Sequence, residues 1–192
     1  MRISVIGCGY LGAVHAAAMG SLGHDVVGVD VDAAKIEALA AGRAPFYEPG
    51  LPELLDTAMD TGRVRFTTDA TAVAGARVHF VCVGTPEKRG EFAADLAYVH
   101  AAFDALLPHL RPGDVVVGKS TVPVGTAEQL AAQLEPTGAT LIWNPEFLRE
   151  GFAVKDTLHP DRFVYGLPHA EHGVPTAAGL AAKGPRRNNS SS

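Results

Sequence analysis

The sequence predicts an α/β protein with a doubly wound, mainly parallel sheet and helices on both faces. Strand-like and helix-like segments alternate along the chain, which is typical of parallel strands joined by helices. The apolar segments 78–81 and 115–117 lack the polar alternation of a strand with one exposed face, so both are predicted to be buried in the sheet. Hydrophobic residues make up 47% of the 192 residues, which is enough for one packed core.

Each element is predicted from local signals in chain order. A short apolar strand leads into a glycine-rich turn and a helix, and a second apolar strand ends at an acidic residue. Pro108, Pro112 and Gly113 punctuate the helix before the fifth strand. The strands are predicted at about residues 2–6, 25–29, 64–67, 78–83, 115–118 and 139–143. The helices are predicted at about residues 11–22, 33–41, 51–60, 96–109 and 125–134.

The turn after the first strand carries the pattern Gly-x-Gly-x-x-Gly. Gly7 allows the tight turn, Gly9 lets the backbone approach a pyrophosphate, and Gly12 lets the helix pack close to the strand. The N-terminus of that helix offers free N–H groups and the positive end of a dipole to phosphates. Strand, glycines, helix and second strand in this order indicate a Rossmann-type fold that binds a dinucleotide. A glycine turn with a purely structural role is the alternative.

Asp30 closes the second strand, where a dinucleotide-binding βαβ unit needs an acidic side chain. Its carboxylate can accept both hydroxyls of an adenosine ribose and would repel a 2′-phosphate. The sequence therefore predicts NAD, in preference to NADP, as the cofactor.

Polar or glycine-containing segments follow several predicted strands, at the edge where ligands bind in an open α/β sheet. The segment 82–86 is either an ordinary turn or a backbone wall against the cofactor, with Thr85 as a hydroxyl contact. The segment 119–126 holds adjacent hydroxyls at Ser120 and Thr121. These two residues either cap the next helix or hold water or substrate.

Two further segments leave more than one interpretation open. The loop 45–51, with aromatic residues between prolines, either covers a bound ligand or packs against the protein. The segment 144–151 follows the sixth strand and carries carboxylates at Glu146 and Glu150. Glu146 lies between a proline and an apolar pair, so partial burial would suit it to act as a general base. A solvated surface carboxylate is the alternative.

Taken together, these segments resemble the N-terminal part of the UDP-glucose/GDP-mannose dehydrogenase family. The resemblance runs in order from Arg2 to about Gly166. The matching pieces are the glycine turn with Tyr10, Asp30 with Lys35, the Phe-Tyr-Glu-Pro-Gly-Leu loop, and the segments 83–86, 95–96, 119–126, 144–151 and 159–162. The last two pieces are closer to the UDP-glucose branch of the family.

The resemblance implies an oxidoreductase that converts the C6 alcohol of a nucleotide sugar, such as UDP-glucose, to a carboxylate with two NAD in succession, as in polysaccharide biosynthesis. It implies that Glu146 is the general base for hydrolysis of a thioester and that Thr121 positions the water. The expected cofactor contacts are Gly7, Gly9, Tyr10, Leu11, Gly12, Asp30, Lys35, Gly84, Thr85, Pro86, Ser120, Thr121 and Glu150. The expected substrate contacts are Glu146, Phe147, Leu148, Arg149 and Glu150.

The chain departs from the family pattern in three places. Neither Cys8 nor Cys82 has the sequence context of the family's cysteine nucleophile, so both are expected to be small packing residues. The segment 87–94 differs from the Gly/Asp/Ser-rich linker of the family, and the end of the chain no longer resembles it. We therefore expect an NAD-binding domain over 1–170, a disordered tail over 171–192, and a truncated chain that is inactive alone.

Composition bears on partners and location. A net charge of -5 argues against a nucleic-acid surface. The sequence shows no apolar run of membrane-spanning length, no secretory signal and only two cysteines, which predicts a cytoplasmic protein without membrane contact. No Cys/His cluster indicates a metal site. The resemblance implies a homodimer formed through a long helix that these residues lack, so the oligomeric state is left open.

Two other functions remain open from the sequence. One is an NAD- or nucleotide-binding regulatory fragment that pairs with a full-length paralogue. The other is a Rossmann oxidoreductase of the hydroxyacid type. Glu146 argues against the second, because hydroxyacid chemistry requires a His or Lys base.

Overall fold

The computed structural model describes residues 1–88, 90, 93–145, 148–162 and 164–166. The predicted tail and the predicted site residues Glu146 and Phe147 lie outside the described residues. Within the described residues, six strands form one sheet in which every pairing is parallel. They are β1 (Arg2–Ile6), β2 (Asp25–Val29), β3 (Val64–Thr67), β4 (Val78–Val81), β5 (Val115–Gly118) and β6 (Thr140–Trp143).

Helices connect these strands. The α-helices of the described residues are α1 (Tyr10–Ser21), α2 (Ala33–Ala40), α3 (Leu51–Asp60), α4 (Ala97–Leu106), α5 (Thr126–Leu134) and α6 (Ala153–Leu158). Short 3-10 helices cover Ala70–Val73, Leu107–His109 and Glu135–Thr137.

The predicted strands agree with the observed ones to within two residues at each end. The helix predicted at 96–109 is shorter in the structure, where α4 ends at Leu106 and Pro108 lies in a 3-10 helix. Proline has no N–H group with which to continue an α-helix. The short helix α6 is absent from the sequence prediction, since its 6 residues are too few to show a helical period.

The sheet has the strand order β3-β2-β1-β4-β5-β6. β1 therefore pairs with β2 on one side, with Ile3 opposite Val26, and with β4 on the other, with Ile3 opposite Val78. The chain builds one half of the sheet outward from β1 and the other half outward from β4. Loops at the carboxyl ends of these two strands consequently diverge, and such a switch point is where open α/β sheets bind ligands. The predicted doubly wound, Rossmann-type α/β fold is confirmed.

Helices cover both faces of the sheet, and each face has its own apolar core. One core joins α1 and α3 to the sheet through buried residues such as Val14 and Leu55. The other joins α4 and α5 to the sheet through Phe103 and Leu130.

A buried polar cluster lies near the amino ends of the central strands. Ser4 Oγ is 2.8 Å from His79 Nδ1. Asp114 pairs with Arg77 at 2.7 Å and accepts a hydrogen bond from the Arg111 N–H at 2.8 Å. Burial lowers the pKa of His79, and Asp114 opposes this shift only in part. The cluster is remote from the carboxyl edge, where the candidate site lies.

Candidate functional site

A cleft of about 290 Å³ opens at the carboxyl edge of the sheet, between the ends of β1, β4 and β5. The lining residues are Gly9, Tyr10, Leu11, Cys82, Val83, Gly84, Thr85, Lys119, Ser120 and Thr121. All except Cys82, Val83 and Lys119 are among the predicted cofactor contacts. The predicted cofactor contacts that do not line the cleft are Gly7, Gly12, Asp30, Lys35, Pro86 and Glu150.

Each of the three glycines in the turn after β1 has a different structural environment. Gly7 has a φ of 87°, a conformation that side chains disfavour. A Cβ added at Gly12 would lie 1.8 Å from the Gly7 carbonyl oxygen, because α1 packs directly on the turn. A Cβ added at Gly9 would meet no atom within 4 Å, so the turn leaves this space open. No side-chain hydrogen bond caps α1 at Gly9, so the first N–H groups of the helix can bind an anion.

Asp30 follows β2 and lies beside the glycine turn, with a side chain that is 8% exposed. Its Oδ2 accepts hydrogen bonds from the Cys8 N–H at 2.7 Å and from Lys35 Nζ at 2.9 Å. Its Oδ1 accepts from the Asp32 N–H at 3.0 Å. Burial alone would raise the pKa of Asp30, but these hydrogen bonds outweigh burial and hold that pKa below its ordinary value. The carboxylate is therefore charged and held in place next to the turn.

Hydroxyl groups tie together the loops that follow β4 and β5. Ser120 Oγ donates to the Val83 carbonyl at 2.6 Å, and Thr85 Oγ1 donates to the Thr121 carbonyl at 3.0 Å. The N-cap of α5 is Gly125, without a side-chain cap. Ser120 and Thr121 therefore do not cap this helix, and they form the wall of the cleft.

Lys119 is a cleft residue missing from the predicted contacts. Its side chain is buried, and its Nζ donates to Asn144 Oδ1 at 3.0 Å. Asn144 in turn donates from Nδ2 to the Val164 carbonyl at 2.9 Å. Buried lysines are rare, and this one places a cation in the cleft wall beside the end of β6. The available sequence signal was a lysine directly after a buried strand.

The described substrate candidates Leu148, Arg149 and Glu150 precede α6 and do not line the cleft. Arg149 forms a bidentate ion pair with Asp156 of α6, with Nη2 2.7 Å from Oδ1 and Nε 3.0 Å from Oδ2. Its guanidinium also lies 5.0 Å from the centre of the Phe152 ring. Leu148 packs against the core that contains α1, whereas Glu150 is exposed. Arg149 is thus oriented by Phe152 and Asp156, which lie close to it in the sequence.

The loop before α3 packs against the protein. The rings of Phe46 and Tyr10 lie 5.0 Å apart. Glu48 is buried and accepts hydrogen bonds from the Tyr10 hydroxyl and from the N–H groups of Gly151 and Val154. No local signal could have identified this burial, because Gly151 and Val154 lie 103 and 106 residues further along the chain.

Cys8 and Cys82 are both buried, in agreement with the prediction that they are packing residues. Burial, assisted by the negative charge of Asp30, raises the pKa of the Cys8 thiol well above its ordinary value. A buried thiol of this kind is a poor nucleophile. Within the described part of the chain, no three His, Cys, Asp or Glu side chains gather as a metal site requires. None of the helices described there has the length and apolar character needed to cross a membrane.

Known proteins resemble this chain in both sequence and structure. The model of the UDP-glucose/GDP-mannose dehydrogenase family, NAD binding domain, matches residues 1–181. A UDP-glucose 6-dehydrogenase of Rhizobium meliloti is 46% identical over 172 residues, which cover 87% of this chain and 39% of the relative.

Two solved structures share the fold. A UDP-glucose dehydrogenase from the archaeon Pyrobaculum islandicum superposes with a TM-score of 0.79 and 43% identity, over 86% of this chain and 40% of that one. A GDP-mannose dehydrogenase from Pseudomonas aeruginosa superposes with a TM-score of 0.78 and 38% identity, over 88% of this chain and 41% of that one.

The chain spans about 39% of the length of the curated relative from Rhizobium meliloti. The family model covers nearly all of the chain and describes a domain that binds NAD, which confirms the predicted cofactor. The cleft lies at the switch point of the sheet, beside the glycine turn and Asp30. The chain therefore belongs to the UDP-glucose/GDP-mannose dehydrogenase family, through the NAD-binding domain of that family.

Proposed function

We propose that this chain binds NAD in the cleft and is the cofactor-binding part of an enzyme that oxidises the C6 hydroxyl of a UDP-sugar to a carboxylate. UDP-glucose is the first candidate, because relatives and a solved structure carry the name UDP-glucose dehydrogenase. The observation that carries the proposal is the glycine turn beside the fixed charge of Asp30 at the switch point. Oxidation of an alcohol to an acid would consume one water and reduce two NAD.

The described residues fit this cofactor. The open space at Gly9 and the uncapped N–H groups of α1 suit a pyrophosphate. The Asp30 carboxylate, oriented by Lys35, suits ribose hydroxyls. The backbone at Gly84 and Pro86 and the hydroxyls of the cleft wall would flank the rest of the molecule. When bound, NAD supplies the hydride acceptor.

We assign the remaining roles to the ends of β5 and β6. Thr121 lines the cleft and would position a water molecule. Glu146 would act as the general base, and it follows Asn144, which Lys119 holds at 3.0 Å. The segment 147–150 would contact the sugar nucleotide.

Thermal unfolding with NAD and with NADP tests the cofactor assignment. NAD should raise the melting temperature, because a ligand at 100 times its Kd stabilises the native state by about 2.7 kcal/mol. NADP should have a much smaller effect, because Asp30 repels its 2′-phosphate.

In Asp30→Asn we expect the preference for NAD to fall at least about tenfold, since the repelling charge is lost. Glu37→Gln, an exposed change on α2, should behave as wild type. Equal responses of the wild type to both cofactors would contradict the assignment.

The 192-residue chain alone should not convert UDP-glucose to its carboxylate. The thioester route needs a thiolate, and neither Cys8 nor Cys82 is exposed as one. Mixing the chain with NAD and UDP-glucose should therefore yield no UDP-glucuronate. Turnover at an ordinary enzyme rate, about 1–10³ s⁻¹, would contradict this expectation. Turnover of a 3-hydroxyacid instead would favour a hydroxyacid dehydrogenase.

A further inference from the structure

Glu48 connects two parts of the site that are far apart in the sequence. Its Oε2 accepts hydrogen bonds from the Tyr10 hydroxyl and from the Gly151 N–H at 2.9 Å. Its Oε1 accepts from the Val154 N–H at 3.3 Å. The Gly151 N–H also lies 3.3 Å from the Tyr10 hydroxyl oxygen. Tyr10, Glu48 and Gly151 therefore form a closed triangle of hydrogen bonds.

This carboxylate is locked in place inside the protein. Glu48 is only 2% exposed, and it is absent from the lining of the cleft. Burial alone would raise the pKa of Glu48, but the hydrogen bonds from Tyr10, Gly151 and Val154 outweigh burial and hold that pKa below its ordinary value. Glu48 therefore stays ionised, and its negative charge lies at the amino end of α6, where the helix dipole favours it.

The triangle joins the cleft to Arg149, one of the described candidates for sugar-nucleotide contact. Tyr10 belongs to the glycine turn and lines the cleft. On the other side, Glu48 accepts hydrogen bonds from the N–H groups of Gly151 and Val154, where α6 begins. Asp156 belongs to the same helix. Asp156 in turn orients Arg149 through two hydrogen bonds. One continuous set of contacts thus runs from the cleft to Arg149.

We propose that Glu48 is a positioning residue that couples occupancy of the cleft to the order of the segment 148–156. This proposal rests on the proposed function, because NAD is the ligand that occupies the cleft. Bound NAD restricts the turn that carries Tyr10, and Glu48 transmits this restriction to the amides at 151–154. The segment that carries Arg149 then opens less often, which is a coupling through local order.

Hydrogen exchange of the purified chain, with and without saturating NAD, tests the coupling. In the wild type, NAD should slow amide exchange several-fold both at the glycine turn and in peptides that contain 151–154. In Glu48→Gln, NAD should slow exchange at the turn and leave 151–154 unchanged. Tyr10→Phe removes the hydrogen bond from the Tyr10 hydroxyl to Glu48 and keeps those that the Gly151 and Val154 N–H groups donate to Glu48. It replaces Glu48→Gln if that variant fails to fold. Tyr47→Phe is the matched control, because Tyr47 is 86% exposed, and it should behave as wild type.

Two results would overturn the coupling. One is slowing at 151–154 that is as large in Glu48→Gln and Tyr10→Phe as in the wild type. The other is a wild type in which NAD slows exchange at the turn alone. If NAD changed neither the melting temperature nor exchange at the turn, the proposed function itself would fail, and the coupling with it.

Discussion

Gly12→Ala is expected to destabilise the chain by about 4 kcal/mol or more, which is an exceptional cost for one methyl group. The added Cβ would lie 1.8 Å from the Gly7 carbonyl oxygen and 2.9 Å from the Gly7 carbonyl carbon. Both are backbone atoms of a turn that β1 and α1 hold on either side, so neither can rotate away as a flexible side chain would. The first turn of α1 would have to lift off the sheet. Urea unfolding followed by circular dichroism measures the loss.

Gly9→Ala is the matched control, three residues earlier in the same turn. Its φ is -68°, which any residue can adopt, and its Cβ would meet no atom within 4 Å. We expect a stability within about 1 kcal/mol of wild type, as for a helix-terminal substitution without a clash. The NAD-dependent rise in melting temperature should nevertheless disappear, because the methyl group enters the space left for the pyrophosphate. A Gly12→Ala chain as stable as Gly9→Ala would contradict the close-packing argument.

The contrast between these two glycines shows which features the sequence could predict. The glycine turn is built from consecutive residues, so one local pattern identifies the strand, the turn and the start of α1. The β5 strand can also be predicted from a local signal, because Val115, Val116 and Val117 are apolar in succession. The fold class in turn predicts that a ligand binds at the carboxyl edge of the sheet. The strand order β3-β2-β1-β4-β5-β6 is not among the sequence predictions, because it depends on pairing between segments that are distant in the sequence.

Other features depend on partners that are distant in the sequence. A glutamate in a loop between prolines is ordinarily solvated, and Glu48 is buried only because Tyr10 and Gly151 meet it in the fold. Lys119 similarly needs Asn144 as its partner across the ends of β5 and β6. The short helix α6 depends on the carboxylate of Glu48 for its first N–H groups. No local pattern records any of these contacts.

His15 shows the same dependence on distant contacts, with a consequence for pH stability. It is buried on α1, and its ring lies 4.2 Å from that of Phe80 on β4. Its Nε2 has no hydrogen-bond partner among the described residues. Burial, reinforced by the positive charge of Lys119, lowers the pKa of His15 to about 3. The folded chain therefore keeps this imidazole neutral throughout the mildly acidic range.

In the unfolded chain, His15 has its ordinary pKa of about 6.5. Below that pH the unfolded chain therefore binds a proton at His15, whereas the folded chain leaves this side chain neutral. The stability from this neutral imidazole is fully present above about pH 6.5, falls as the pH drops, and stops falling near pH 3. At a slope of about 1.4 kcal/mol per pH unit, the loss by pH 4.5 is about 3 kcal/mol. His15→Met, an apolar replacement, should remove this loss, so that its stability relative to wild type rises by that amount between pH 7.5 and pH 4.5.

Part of the acid sensitivity should remain, because the pKa of His79 is lowered in the same direction. Urea titrations at both pH values measure the difference, with His159→Met as the exposed control. Parallel losses of stability in His15→Met and wild type would show that His15 is not the group responsible.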